Sequence, residues 1–220
     1  MGKTALIIGA SGLVGNELLK QLLADSSFEK IKIFVRKRIP TEDSKLEQII
    51  INFDYISSYY DLIKGDVLFC CMGTTIKTAG SKDAFIKVDY TYPMEFAKIA
   101  KQNGVKKMLL ISSIGADKTA SNFYLKVKGD IEESLGKLNF ESLIILRPSM
   151  LLGSRKEFRF GESAGKIFMK LFTFTFIGKL KKYRAIEVSA AAKAMTELSK
   201  IELKGVNIFL SDDLQKIGGK

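Results

Sequence analysis

Three glycines spaced three residues apart constrain this chain more than any other feature. The apolar run Ala5-Leu6-Ile7-Ile8 meets Gly9-Ala10-Ser11-Gly12-Leu13-Val14-Gly15, and a helical pattern opens at once from Asn16. A strand that turns sharply into a helix needs one residue without Cβ at the turn, a second where backbone must approach a ligand, and a third where the helix seats on the sheet. The helix N-terminus then offers unpaired N–H groups to an anion. Together these elements predict a dinucleotide pyrophosphate site with Gly9, Ser11, Gly12, Leu13, Val14 and Gly15 as its contacts. The spacing is G-x-x-G-x-x-G rather than G-x-G-x-x-G, so it is the flanking strand and helix that raise the signal above an ordinary tight turn.

The rest of the chain repeats the same alternation. Strand-like runs near 3–8, 30–35, 48–51, 67–72, 107–112, 141–146 and 206–210 alternate with helical stretches near 12–24, 57–63, 82–103, 121–138 and 189–201. That rhythm predicts an α/β fold, a Rossmann-type doubly wound parallel sheet in one domain spanning 1–220. The strands are almost continuously Ile, Leu, Val and Phe, as expected when helices cover both faces. From Pro148 to Arg184 the rhythm breaks, which predicts a substrate-side insertion. Within it the apolar run from Ile167 to Ile177 can line a pocket, cover the sheet, or meet a second copy, a regulatory partner or a membrane surface. Pocket or core lining is the simplest of these, because the run is too short to span a bilayer.

Several function classes fall away on composition. The chain has no histidine, which excludes Ser-His-Asp and Cys-His catalysis and removes the commonest metal ligand, so no metal site is expected. Its two cysteines, Cys70 and Cys71, are adjacent inside an apolar strand and match neither a disulfide framework nor C-x-x-C. They suggest a reducing compartment, and Met1-Gly2-Lys3-Thr4 leads straight into a strand without a leader pattern, so a cytoplasmic protein is expected. The net charge of +11 comes from lysines scattered over helices and loops, which argues against a nucleic-acid stripe and for a basic surface that attracts anionic cofactors.

The second strand ends in Phe34-Val35-Arg36-Lys37-Arg38, where this fold addresses the adenosine ribose. An acidic residue there would accept from the 2′-hydroxyl of NAD, whereas Arg36 and Lys37 favour the 2′-phosphate of NADP(H). The fourth strand runs into Met72-Gly73-Thr74, a small turn at the carboxyl end where ligands of open α/β sheets bind. The fifth ends in Ser112-Ser113, and Tyr124 and Lys128 then lie four apart on one helical face.

With Gly9-x-x-Gly12-x-x-Gly15, Ser113, Tyr124 and Lys128 in this order, the chain resembles a short-chain dehydrogenase/reductase of the atypical, extended-like branch. The strings from Cys70 to Thr75, Ser112 to Lys118 and Arg147 to Leu152 are similar to the Tat-interacting-protein subfamily of NADPH-binding oxidoreductase-like proteins. The resemblance implies that Tyr124 is the general acid or base, that Lys128 bonds the nicotinamide ribose, and that Ser113 orients the substrate oxygen. It places Pro148 beside the nicotinamide and Arg155 near a phosphate. Strand alternation alone leaves Ser112 and Ser113 exchangeable. A phenol of pKa about 10 must fall by about 2–3 pH units to act as a base at neutral pH, and a neighbouring cation is what lowers it. The absence of Trp and the short C-terminal region argue against a nucleotide-sugar epimerase. Two readings follow: an NADP(H)-dependent oxidoreductase of a small carbonyl or alcohol, and an NADPH-sensing regulatory or scaffold protein with little turnover.

Overall fold

The apolar run Lys3–Ile8 forms β1, the strand on which the sheet is centred. The computed structural model describes residues 2–153 and 183–219. After β1 come α1 (Leu13–Ala24), β2 (Phe28–Val35), β3 (Leu46–Ile50), a 3₁₀ segment (Phe53–Leu62), β4 (Val67–Cys70), α2 (Ile76–Ala79) and α3 (Lys82–Ile86). A π-helical turn (Lys87–Thr91) joins α3 to α4 (Tyr92–Gln102), followed by β5 (Lys107–Ile111), α5 (Phe123–Gly136), β6 (Ser142–Arg147) and β7 (Leu151–Leu152). Beyond the undescribed residues lie β8 (Ile186–Glu187), α6 (Val188–Lys200), β9 (Gly205–Leu210) and α7 (Ser211–Gly218).

Seven strands form one parallel sheet in the order β3-β2-β1-β4-β5-β6-β9, the doubly wound order expected of a Rossmann-type fold. Alternation along β1 builds both cores. Ala5 and Ile7 face the layer of α1, α6 and α7, while Leu6 and Ile8 face the 3₁₀ segment, α4 and α5. Chain direction reverses from β3-β2-β1 to β4-β5-β6 beside β1, which opens a crevice at the carboxyl ends of β1 and β4.

Three elements differ from the pattern read in the sequence. The helix expected at 57–63 is a 3₁₀ segment from Phe53, interrupted by non-helical Tyr55 and Tyr59, because a run of aromatic and seryl residues has weak helical propensity and buries only Phe53 and Ile56. The single helix expected at 82–103 is divided by the π turn, which turns Asp89 inward. Helix α7 carries too few apolar residues to announce itself, and Leu214 alone provides its buried hydrophobic anchor. Most of the expected insertion at 148–184, with Arg155 and the 167–177 run, lies outside the described residues. Its flanks meet, Leu151 pairing with Ile186 and Leu152 with Glu187 in a parallel ladder.

Candidate active site

The glycine turn is built as its spacing demands. Gly9 has φ of +84°, and a Cβ there would lie 2.5 Å from the carbonyl carbon of Cys71. At Gly15 a Cβ would lie 2.2 Å from the Gly9 oxygen, so this glycine lets α1 press on the turn. The Gly12 N–H donates to the Gly9 carbonyl at 2.9 Å, and α1 starts at Leu13 with neither a side-chain cap nor an acid in its first turn. Such an end presents backbone donors and a positive dipole to an anion, and fits a dinucleotide pyrophosphate.

A cavity of about 460 Å³ runs from this turn across the carboxyl ends of the strands. Toward β2 it is lined by Phe34, Val35, Arg36, Phe53 and Tyr92; at its centre by Ser11, Gly12, Met72, Gly73 and Thr74; toward β5 and β6 by Ser112, Ser113, Tyr124, Pro148 and Ser149. Gly9, Leu13 and Val14 complete the central wall, so most residues named from the sequence border one space, whereas Gly15, packed under the turn, is not part of the lining. Lys37 does not: it is exposed just past Arg36 and lies outside the lining. Arg36 supplies the only charged side chain among the described lining residues.

Two phenols reach the cavity, and their settings separate them. Tyr92 packs on Phe53 at 5.5 Å between ring centres, and its hydroxyl donates to Asp54 at 2.7 Å, where Lys87 also binds at 2.9 Å. Burial and the Asp54 bond hold the Tyr92 phenol above its usual pKa. Tyr124 stands at the opposite end, on the first turn of α5, whose start is capped by Asn122 accepting from Leu125 N–H at 3.1 Å. Its ring rests on Phe85, 5.9 Å between centres.

Lys128 follows one turn later but does not line the cavity. Its side chain is 3% exposed, and Nζ lies 2.6 Å from Oδ1 of the equally buried Asp89, whose Oδ2 accepts from Thr74 N–H at 2.7 Å. Sequence reasoning missed Asp89, because nothing local marks which of 24 acids meets a buried lysine. The adjacent serines also part company. Ser112 donates to Glu132, which lies one further turn along the Tyr124–Lys128 face and accepts from Arg147 Nε at 3.1 Å. Ser113, buried beside the cavity, donates its hydroxyl to the Ile114 carbonyl at a long 3.3 Å. Truncating Glu132 to alanine is expected to cost about 3 kcal/mol, the lower end for a broken buried pair, because Arg147 remains 24% exposed. Calorimetry should then record a Tm lower by roughly 6–12 °C.

Cys70 offers no second chemistry. Neither cysteine is in a disulfide, both are buried, and burial pushes the Cys70 thiol up to about 11, far from the thiolate a nucleophile needs. No group of His, Cys, Asp and Glu able to hold a metal occurs among the described residues, and none of their helices is long and apolar enough to cross a membrane.

The profile of a family described as NAD(P)H-binding matches residues 9–161. The chain belongs to that family. Within it, the chain is 40% identical to Protein HTATIP2 of Rattus norvegicus over 164 residues, covering 73% of this chain and 67% of that protein. It is 32% identical to the mitochondrial Protein FMP52 of Candida albicans, covering 98% of this chain and 95% of that one. In solved structures, the NAD+-bound short chain dehydrogenase of Leptospira borgpetersenii superposes with a TM-score of 0.74 at 16% identity, over 97% of this chain and 93% of that one, a likeness of fold. The family and the shared fold make this an NAD(P)H-binding protein with a Rossmann-type fold, related to HTATIP2 and FMP52. The expectation of a cytoplasmic protein is corrected by relatives named as mitochondrial. Cys70 and Cys71 are shielded inside the fold, so their reduced state reports burial rather than a compartment.

Proposed function

We propose that the protein is an NADP(H)-dependent oxidoreductase that moves hydride between the cofactor and a small carbonyl or alcohol. The observation that carries this reading is a single cavity bordered by the glycine turn, Arg36, Ser113 and Tyr124. The N-terminus of α1 holds the pyrophosphate, the Met72-Gly73-Thr74 turn flanks the dinucleotide, and Arg36 bonds the 2′-phosphate. NADPH, when bound, supplies the hydride.

The remaining chemistry belongs to side chains of this protein. In reduction Tyr124 gives its phenolic proton to the substrate oxygen while the carbonyl carbon accepts hydride. In oxidation the phenolate takes the proton of the alcohol. Ser113 donates a hydrogen bond to the same oxygen, a role open to it because the Ser112 hydroxyl is already given to Glu132. Lys128, one turn further along α5, is the cation that favours the phenolate.

Arg36→Ala should weaken NADP+ binding by about 10- to 150-fold, the worth of one charge-assisted bond, and leave NAD+ affinity unchanged. Isothermal titration with both cofactors measures this, and equal losses for both would refute the 2′-phosphate assignment. The NADPH-sensing reading draws support from one feature: Asp89 matches the charge of Lys128, which fits a site that binds NADPH and turns over slowly. Partner binding that is the same with and without NADPH would remove that reading.

A further inference from the structure

The two edges of the seven-stranded sheet are built differently. Strand β3 closes one side with Glu47, paired with Lys30 at 2.6 Å, and with Gln48, whose amide bonds the main chain of Ile39 and Thr41. Charge and a covering segment are what keep a sheet edge single. Strand β9 closes the other side with Gly205-Val206-Asn207-Ile208-Phe209-Leu210, a run that holds neither a charged residue nor a proline. Among the described residues its one strand partner is β6. Gly205 N–H donates to the Glu141 carbonyl at 2.9 Å, so alternation turns the main chain of Gly205, Asn207 and Phe209 toward β6 and that of Val206 and Ile208 outward. Asp213 takes the Leu210 N–H at 3.3 Å, which ends the open stretch. Val206 and Ile208 are also 54% and 47% exposed, on the sheet face beside Gly136 of α5. An unprotected edge and an exposed apolar ledge thus coincide on one strand.

We propose that the β9 edge pairs antiparallel with β9 of a second copy of this chain, joining two sheets into one across a twofold axis at Asn207. The strand complements itself in that register. Val206 of one copy stands opposite Ile208 of the other and exchanges both main-chain bonds with it, and the twofold repeats the pair on the far side of the axis. The valine and isoleucine side chains of both copies then meet on one face and cover each other. Charge selects the same direction. Exposed Lys204 precedes the strand, and Asp212 and Asp213, no closer than 3.7 Å to Lys216, follow it. Antiparallel pairing sets these unlike ends side by side, whereas parallel pairing sets like against like. Glu202, two residues further out, lies in the field of Lys107. The carboxyl ends of the strands point to opposite ends of the joined sheet, and neither Val206 nor Ile208 lines the cavity, so association and cofactor binding are separable.

Sedimentation of the full chain over a wide range of concentration, with hydrogen exchange of its amides at both extremes, is the test. The parent protein should reach twice the mass of one chain at high concentration, where the Val206 and Ile208 amides exchange about tenfold or more slowly than after dilution. The Asn207 amide, bonded within the sheet, should stay slow throughout. Val206→Lys and Ile208→Lys should each weaken self-association by about tenfold or more, through loss of a cross-strand pair on both sides of the axis and like charges placed beside it, with NADP+ affinity unchanged. Ile208→Pro removes an outward N–H, keeps the β6 ladder, and should have the same effect. Where a substituted chain fails to fold, the exchange rates of the parent carry the test by themselves. A chain that stays single at every concentration would overturn the proposal: slow Val206 and Ile208 amides in that single chain would assign the edge to another segment of the same molecule, and fast ones would leave it open. A dimer in which these two amides exchange fast, or which both lysine variants leave intact, would overturn it as well.

Discussion

Replacing Tyr124 with phenylalanine is expected to slow carbonyl reduction by about 10²- to 10⁴-fold, the range for loss of a positioned general acid, while NADPH affinity stays within about twofold of the parent. The substitution removes one oxygen and keeps the ring on Phe85, so packing of α5 against α3 persists. The result separates Tyr124 from Tyr92, the other phenol on the cavity wall. Tyr92 donates to Asp54 and has its pKa raised by burial, at the Arg36 end. Tyr92→Phe should therefore alter cofactor affinity more than the chemical step. Steady-state rates over a panel of aldehydes and ketones, with NADPH affinity measured by fluorescence, check both halves. Full turnover in Tyr124→Phe would remove this residue from the mechanism.

The second large effect is expected at Gly9. An alanine there must hold φ near +84°, and its Cβ would lie 2.5 to 2.6 Å from Cys71 and Met72 main-chain atoms. Backbone just past β4, where the Cys71 N–H donates to the Ile8 carbonyl at 2.9 Å, cannot step aside as the end of a flexible side chain can. Strain and overpacking together should cost roughly 2–6 kcal/mol. Gly9→Ala is thus expected to lower the Tm by roughly 4–24 °C and to weaken NADP+ binding by about 100-fold or more, because the turn that directs α1 at the pyrophosphate is displaced. Gly80→Ala is the matching control. Gly80 also has positive φ, +85°, but a Cβ there meets nothing within 4 Å. Calorimetry and titration on both variants test whether close approach, rather than φ alone, is what Gly9 supplies.

What could be read in the sequence was chemistry whose parts lie next to one another along the chain. Strand, glycine turn and helix are consecutive, so Gly9, Gly12 and Gly15 announced the close turn, and the place of Arg36 on the cavity wall followed from its position at the end of β2. Tyr124 and Lys128 share one turn of α5, and their common helix was legible. The direction of Lys128 was not. Its partner Asp89 comes from a π turn whose register depends on how α3 and α4 pack, and no local pattern encodes that. Likewise the different settings of Ser112 and Ser113 depend on Glu132 and Arg147, which reach the strand end only when β5, β6 and α5 are assembled. Helix α7 and the 3₁₀ segment were hidden for a simpler reason: each buries too few apolar side chains to leave a period.

The central claim is that this cavity transfers hydride rather than merely binding NADPH. The most direct measurement uses NADPH deuterated at nicotinamide C4, mixed with the protein and a panel of small carbonyls, with the product alcohols read by mass spectrometry. Deuterium on the former carbonyl carbon, present with the parent protein and lost with Tyr124→Phe, is the predicted result. NADPH that binds tightly yet transfers no label to any acceptor would contradict the claim and leave a cofactor-sensing protein in its place.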